Sequence, residues 1–188
     1  KLNTQKSNVI WVCHALTGSA DMEAWWPGLM GSGKALDPDT HFIICANTLG
    51  SPYGSTSPQS LNPTTRQPWL LTFPRLSIRD MVRAHMLLAD ALGIRSIRFV
   101  IGGSMGGMQA QQWAVDYPER LFSAVVLASA SRHSAQNIAF HEVGRQAIMA
   151  DPDWRGGAYA DQGVQPSKGL AVARMAAHIT YLSDDAMG

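Results

Sequence analysis

Residues 99–115 read FVIGGSMGGMQAQQWAV, and this stretch decides the fold. An apolar run leads into a single serine, Ser104, with four glycines within the six residues 102–107. Helix-like sequence follows. Such a junction has two readings: a helix packed closely on a strand, or a nucleophile held on a sharp turn. Residues 102–106 fit the pattern G-x-S-x-G with Ser104 at the bend. Side chains two positions to either side would collide with the serine or with neighbouring backbone, and glycine removes those collisions. The following helix would aim its N-terminal N–H groups and positive dipole end at the serine oxygen, favouring developing negative charge. The spacing does not fit a dinucleotide-binding G-x-G-x-x-G loop. The Gly-Lys-Ser/Thr ending of a phosphate loop is also lacking.

Working outward, residues 8–13, 42–46, 97–101 and 124–128 are short apolar runs without a polar face. Strands buried on both sides of a parallel sheet read that way, and the long segments between them point to α/β architecture. A helix is expected from Ser77, an N-cap with Asp80 three residues on, to the stop at Gly93. Others are expected over 105–116, ended by Tyr117-Pro118, over 134–149 and over 167–181. The irregular segment 47–74, rich in Gly, Ser, Pro and Thr, follows a strand's C-terminal end, where ligands of open α/β sheets bind. It is expected to be functional.

The 188 residues suffice for one domain with a sizeable core. With a net charge of +1 and no lysine or arginine cluster, nothing suggests a nucleic-acid partner. Cys13 and Cys45, each in an apolar run, read as small buried thiols of a reducing compartment, the alternative being a disulfide between neighbouring strands. No metal site is expected. No apolar run approaches a membrane span, and the segment KLNTQK is polar and unlike a secretory signal, so the expectation is a cytoplasmic domain without a membrane partner.

An oxyanion site needs a second backbone donor from the loop after an earlier strand. The first apolar run leads straight into His14-Ala15-Leu16-Thr17-Gly18. The expected donors are the backbone N–H groups of Met105 and Leu16. His14 is expected to hold this loop by hydrogen bonds rather than to act as a base.

The blocks VCHALTGSAD, CANTLGSPYGSTSP, SIRDMVRAH, GGSMGGMQA and ARMAAHITYLSDDAM, in this order, resemble the homoserine O-acetyltransferase family of the α/β-hydrolase superfamily. The resemblance covers most of the chain. It implies an α/β-hydrolase fold, here a partial, mostly parallel sheet with flanking helices, with residues 1–165 as core and 166–188 as the start of a helical lid. It also implies a ping-pong transfer in methionine biosynthesis, in which Ser104 takes acetyl from acetyl-CoA and passes it to L-homoserine. Acetyl-CoA would be a co-substrate, with no bound cofactor. Arg174 matches the family's substrate-binding arginine, whose fork suits a carboxylate, and Tyr181 matches a tyrosine near the same pocket. Members of the family are often homodimers. Neighbouring homoserine and serine O-succinyltransferases share the scaffold, and an esterase or a non-catalytic subunit are the rival readings.

A serine of this type needs a carboxylate and a histidine, in the order Ser…Asp…His. Neither His133, His141 nor His178 sits in a strand-end loop after a matching acid, and Asp184 and Asp185 come too late. In the family those two residues lie beyond the part matched here, and the first strands lie ahead of it. The expectation is therefore the central part of the enzyme, inactive by itself, with the third to sixth of eight strands side by side and both sheet edges open.

Overall fold

The computed structural model describes residues 1–187. They divide into two compact units, the first spanning Lys1–Ser131 and the second beginning at Arg132. The division drawn from sequence at residue 165 falls inside the second unit.

In the first unit, β1 (Val9–Cys13), β2 (Phe42–Cys45), β3 (Phe99–Gly103) and β4 (Ala124–Leu127) form one parallel sheet in the order β2-β1-β3-β4. Every residue of β1 is fully buried. Its side chains alternate between two apolar clusters, as a period of two requires. Val9, Trp11 and Cys13 pack with Val82 and Ala89 of helix α2 (Ile78–Ala91) and with Ala110 and Trp113 of α3 (Met105–Asp116). Ile10 and Val12 pack on the other face with Ile101, Leu36 and Met22 of the short helix α1 (Met22–Trp25). Each such fully buried side chain contributes about 1.5–3 kcal/mol, so β1 is the axis of this unit.

The reading of all four runs as doubly buried strands needs correcting at both outer strands: β2 is only half-buried at every position, and the larger departure is at β4. Its residues are all exposed, with Val125, Val126 and Leu127 at 36–37%. An apolar run shows fitness for a buried pleat, while burial depends on neighbours, and among the described residues β4 pairs only with β3. The third strand is also displaced: it covers Phe99–Gly103, and Ile97 makes an isolated parallel bridge to Leu121.

The Ser77 cap closes as a reciprocal box. Ser77 Oγ accepts from the Asp80 N–H at 3.2 Å, and an Asp80 carboxylate oxygen accepts from the Ser77 N–H at 2.9 Å. Replacing Ser77 with alanine is expected to cost about 1 kcal/mol, read as a lower denaturation midpoint with an unchanged slope in the whole protein. An unchanged midpoint would contradict this role.

Val12 pairs in register with Cys45, so Cys45 lies on the Val12 face while Cys13 points to the other. Both cysteines are free, and the alternative of a disulfide between these strands fails on that geometry. Burial pushes the Cys45 thiol up to about 12. Cys13 is raised as well, chiefly by burial and further by Cys45.

The second unit carries α4 (Ala135–Ala150), α5 (Ser167–Tyr181) and α6 (Asp184–Met187). Ser134 caps α4, its hydroxyl accepting from the Asn137 N–H at 3.2 Å. Helix α5 crosses α4 at Gly169, where an added Cβ would lie 2.4 Å from the Ala147 carbonyl oxygen.

Candidate active site

Ser104 is the sole residue between β3 and α3, with φ 54° and ψ −121°. This is a strained conformation for a residue with a side chain. Its N–H donates to the Leu127 carbonyl at 3.0 Å, and its own carbonyl accepts from the Met108 N–H at 3.1 Å and from Ser129 Oγ at 2.7 Å. The chain is thus pinned on both sides of the bend. The side chain is exposed, and its hydroxyl makes no hydrogen bond among the described residues.

The glycines around it do different jobs. A Cβ on Gly102 would stand 2.2 Å from the Gly106 carbonyl oxygen, and one on Gly106 would stand 2.0 Å from that of Cys13. A Cβ on Gly107 would meet Ser129 Cβ at 2.5 Å. At Gly103 the nearest atoms are 3.9 Å away, ordinary contact. Three of the four glycines are therefore required by close approach: they let α3 begin directly against the ends of β3 and β1.

The loop after β1 is held by His14. The Thr48 N–H donates to His14 Nε2 at 2.9 Å, so that nitrogen is an acceptor and the proton sits on Nδ1, which donates to the Ala15 carbonyl at 2.7 Å. The same carbonyl accepts from the Gly18 N–H at 2.9 Å, closing the turn. His14 is wholly buried with both ring nitrogens committed. It braces the loop, in keeping with the sequence reading.

Between the braced ends, Leu16 is 71% exposed, and its N–H makes no hydrogen bond among the described residues. The Met105 N–H, at the first position of α3, is likewise without a partner among them, as helix geometry leaves it. Leu16 and Met105 line one cavity of about 410 Å³, together with Thr48, Leu49, Ser51 and Pro52 of the irregular segment. Ser104 adjoins this cavity through the chain at Met105 and is not itself among its lining residues.

The other candidates lie in the second unit. Arg174 and Tyr181 are both exposed on α5, and their spacing of seven residues, two turns, puts them on one face. His133 stacks on His141 with centroids 5.3 Å apart, and His178 Nδ1 donates to the Arg174 carbonyl at 3.1 Å. In the first unit His85 is buried against Trp11, and burial, then His14, lowers its pKa to about 4. None of the described histidines hydrogen-bonds to Ser104.

Two contributors went unread in sequence. Ser129 ties the strand after the elbow to the Ser104 carbonyl, and its only signal is its place just past a strand's C-terminal end. Thr48 braces His14 across 34 residues, and its hydroxyl accepts from Gln109 Nε2 of α3 at 3.4 Å. Such a pairing has no local pattern to betray it.

A strand, a one-residue bend at serine and a helix beside a parallel neighbour strand agree with what the chain resembles. The family model for the alpha/beta hydrolase fold matches residues 8–185. A homoserine O-acetyltransferase of Caulobacter vibrioides is 64% identical over all of this chain, which covers 51% of that protein. Among solved structures, homoserine O-acetyltransferase from Bacillus anthracis superposes with a TM-score of 0.87 at 33% identity, over 95% of this chain and 52% of that one. Esterase E22 superposes with a TM-score of 0.87 at 34% identity, over 98% and 54%. The chain spans about half the length of the curated relatives it matches, such as 51% of the Caulobacter protein. With a family match across nearly its whole length, the chain belongs to the alpha/beta hydrolase fold family.

Proposed function

We propose that this chain carries the nucleophile and oxyanion site of an acetyl-CoA-dependent homoserine O-acetyltransferase, with Ser104 as nucleophile. The observation that carries the reading is the strained serine at φ 54°, beside two unpartnered N–H groups, Leu16 and Met105, that line one cavity. Relatives named homoserine O-acetyltransferase at 64% and 57% identity support the choice of acceptor.

In the first half-reaction Ser104 Oγ attacks the thioester carbonyl carbon of acetyl-CoA while a general base takes its proton. The Leu16 and Met105 N–H groups hold the resulting oxyanion, an interaction worth about 10²–10³-fold per donor. Collapse breaks the C–S bond, and the departing thiolate takes the proton from the base. In the second half-reaction the homoserine hydroxyl attacks the acetyl ester and gives its proton to the same base. The second oxyanion collapses with cleavage of the bond between the acyl carbon and Ser104 Oγ, and Oγ takes the proton from the base, which leaves O-acetylhomoserine and free Ser104. Arg174 presents a guanidinium fork suited to the amino acid's carboxylate, with Tyr181 on the same helix face. No described histidine bonds to Ser104, which supports drawing the base and its orienting carboxylate from the rest of the whole protein. The site needs no metal or resident cofactor in this scheme. Residues 166–188 would be the start of a helical lid, and the two free thiols support a cytoplasmic setting. The family resemblance supports a homodimer.

The likeness to esterase E22 favours a second reading, in which water replaces homoserine. Acetyl-labelled CoA thioester, given to the whole protein with and without L-homoserine, separates the two. CoA release is expected to rise by about tenfold or more with homoserine, the label appearing in O-acetylhomoserine, because deacylation then has its proper acceptor. Release of free acetate at the same rate in both cases would establish the esterase. Faster transfer from succinyl-CoA would establish a succinyltransferase.

A further inference from the structure

The segment joining α4 to α5 contains a carboxylate with an unusual set of partners. Asp151 follows the last residue of α4 and is only 8% exposed. One of its oxygens accepts from the Asp153 N–H at 3.0 Å, in the turn that follows. The other accepts from the Gly169 N–H at 2.8 Å, eighteen residues on, in the first turn of α5. Helix α5 needs such a partner, because Pro166 stands at its N-cap and offers no capping side chain. Hydrogen bonds from the N–H groups of Gly169 and then Asp153 hold the Asp151 carboxyl below the usual carboxylate range, as expected of a carboxylate that serves as a cap.

Gly169 is also the point of closest approach between the two helices. An added Cβ would meet the Ala147 carbonyl oxygen at 2.4 Å and Ile148 Cα at 2.6 Å. The close approach sets how deeply α5 sits on α4. The carboxylate, bonded to a backbone N–H at the same residue, resists sliding and rotation. Arg174 lies five residues beyond Gly169, about 7.5 Å along the axis and about 140° around it, so it points away from α4, and it is exposed. Its direction is therefore set by the rotation of α5 at Gly169, within two helical turns of the clamp.

We infer that Asp151 is a positioning residue for the amino-acid substrate: by tying the start of α5 to the end of α4, it fixes the direction in which Arg174 is presented. This rests on the proposed role of Arg174 in binding the homoserine carboxylate. A site of this kind tolerates deviations of only about 0.5 Å and 10–20°, so loss of the tie acts on substrate binding before it unfolds the helix pair.

A ping-pong reaction supplies an internal control, because acetylation of Ser104 by acetyl-CoA does not involve homoserine. In the whole protein, Asp151→Asn keeps the volume but leaves one N–H facing an amide NH₂. It is expected to raise the KM for homoserine about tenfold, the worth of one charge-assisted hydrogen bond, with the rate of acetyl-enzyme formation unchanged. Asp151→Ser, whose single hydroxyl lies one bond nearer the backbone, keeps an acceptor for the Asp153 N–H but loses the reach to Gly169; it gives at least as large a rise of the same kind and serves if the asparagine variant folds poorly. Arg174→Ala alone also raises that KM, and adding Asp151→Asn to it causes little further loss, since the two act through one contact. Equal losses in both half-reactions would overturn the proposal, because a merely structural residue behaves so. Multiplying effects in the double variant, or an unchanged KM in Asp151→Asn, would overturn it too. If the protein transfers acetyl to homoserine while Arg174→Ala leaves the KM unchanged, the role of Arg174 itself falls, and this inference with it.

Discussion

Replacing Ser104 with alanine in the whole protein is expected to abolish the acetyl-enzyme and to lower homoserine-dependent CoA release by about 10⁴–10⁶-fold. The size of the loss follows from the proposed role as nucleophile. Without Oγ there is no covalent intermediate, and the oxyanion donors then have no attached tetrahedral centre to stabilise. The substitution is also clean. Ser104 Oγ makes no hydrogen bond among the described residues, and the backbone at the bend is held by Leu127, Met108 and Ser129, whose bonds run to the Ser104 N–H and carbonyl. Folding stability should change by no more than about 0.5 kcal/mol, so lost activity reports chemistry. Mass spectrometry after incubation with acetyl-CoA checks it: a variant that still carries one acetyl group on the 99–115 peptide would overturn the assignment.

The second large effect concerns the glycines. Gly106→Ala is expected to destabilise the whole protein by about 4 kcal/mol or more, the range reserved for severe core lesions. Its new Cβ would stand 2.0 Å from the Cys13 carbonyl oxygen, a backbone atom of the central strand that has nowhere to retreat. Gly103→Ala provides the contrast. Its Cβ would meet nothing closer than 3.9 Å, and the loss of glycine's freedom in the unfolded chain should stabilise by up to about 1 kcal/mol. Thermal melts of the two variants against the parent decide the matter. A Gly106→Ala variant melting within a few degrees of the parent would show that the close packing of α3 on β1 is not required.

Much of the fold could be read from sequence because its signals are local. The helix 105–116 is flanked by the elbow and by Tyr117-Pro118, and it appears over Met105–Asp116. The Ser77–Asp80 box joins residues three apart, and the structure forms it. Apolar runs located all four strands, with the third shifted by two residues. Burial was less legible. β1 and β4 have similar composition, yet one is wholly buried and the other exposed, because only strand order assigns the centre and the edge. The same holds at the candidate site. Ser104, Leu16 and Met105 stand out through motif and chain order, whereas the bracing of His14 by Thr48 and the tie from Asp151 to Gly169 join residues 34 and 18 apart. Nothing in either local segment announces its partner. The glycines illustrate both limits: the sequence shows four together, and only the packed structure shows that Gly103 is dispensable to the contact.

The complete burial of β1 has a consequence for how such a protein can change. The five residues that form the axis of its core are also the stem of the loop carrying Leu16, and the Cys13 carbonyl at the strand's end is the surface on which α3 rests at Gly106. Stability and the proposed chemistry thus rest on the same residues, and a repacking of β1 would move the Leu16 N–H, the proposed oxyanion donor, along with the core. Adaptation to heat, in nature or in the laboratory, has to work from the periphery, on positions such as the exposed Leu87 of α2, and leave the central strand alone.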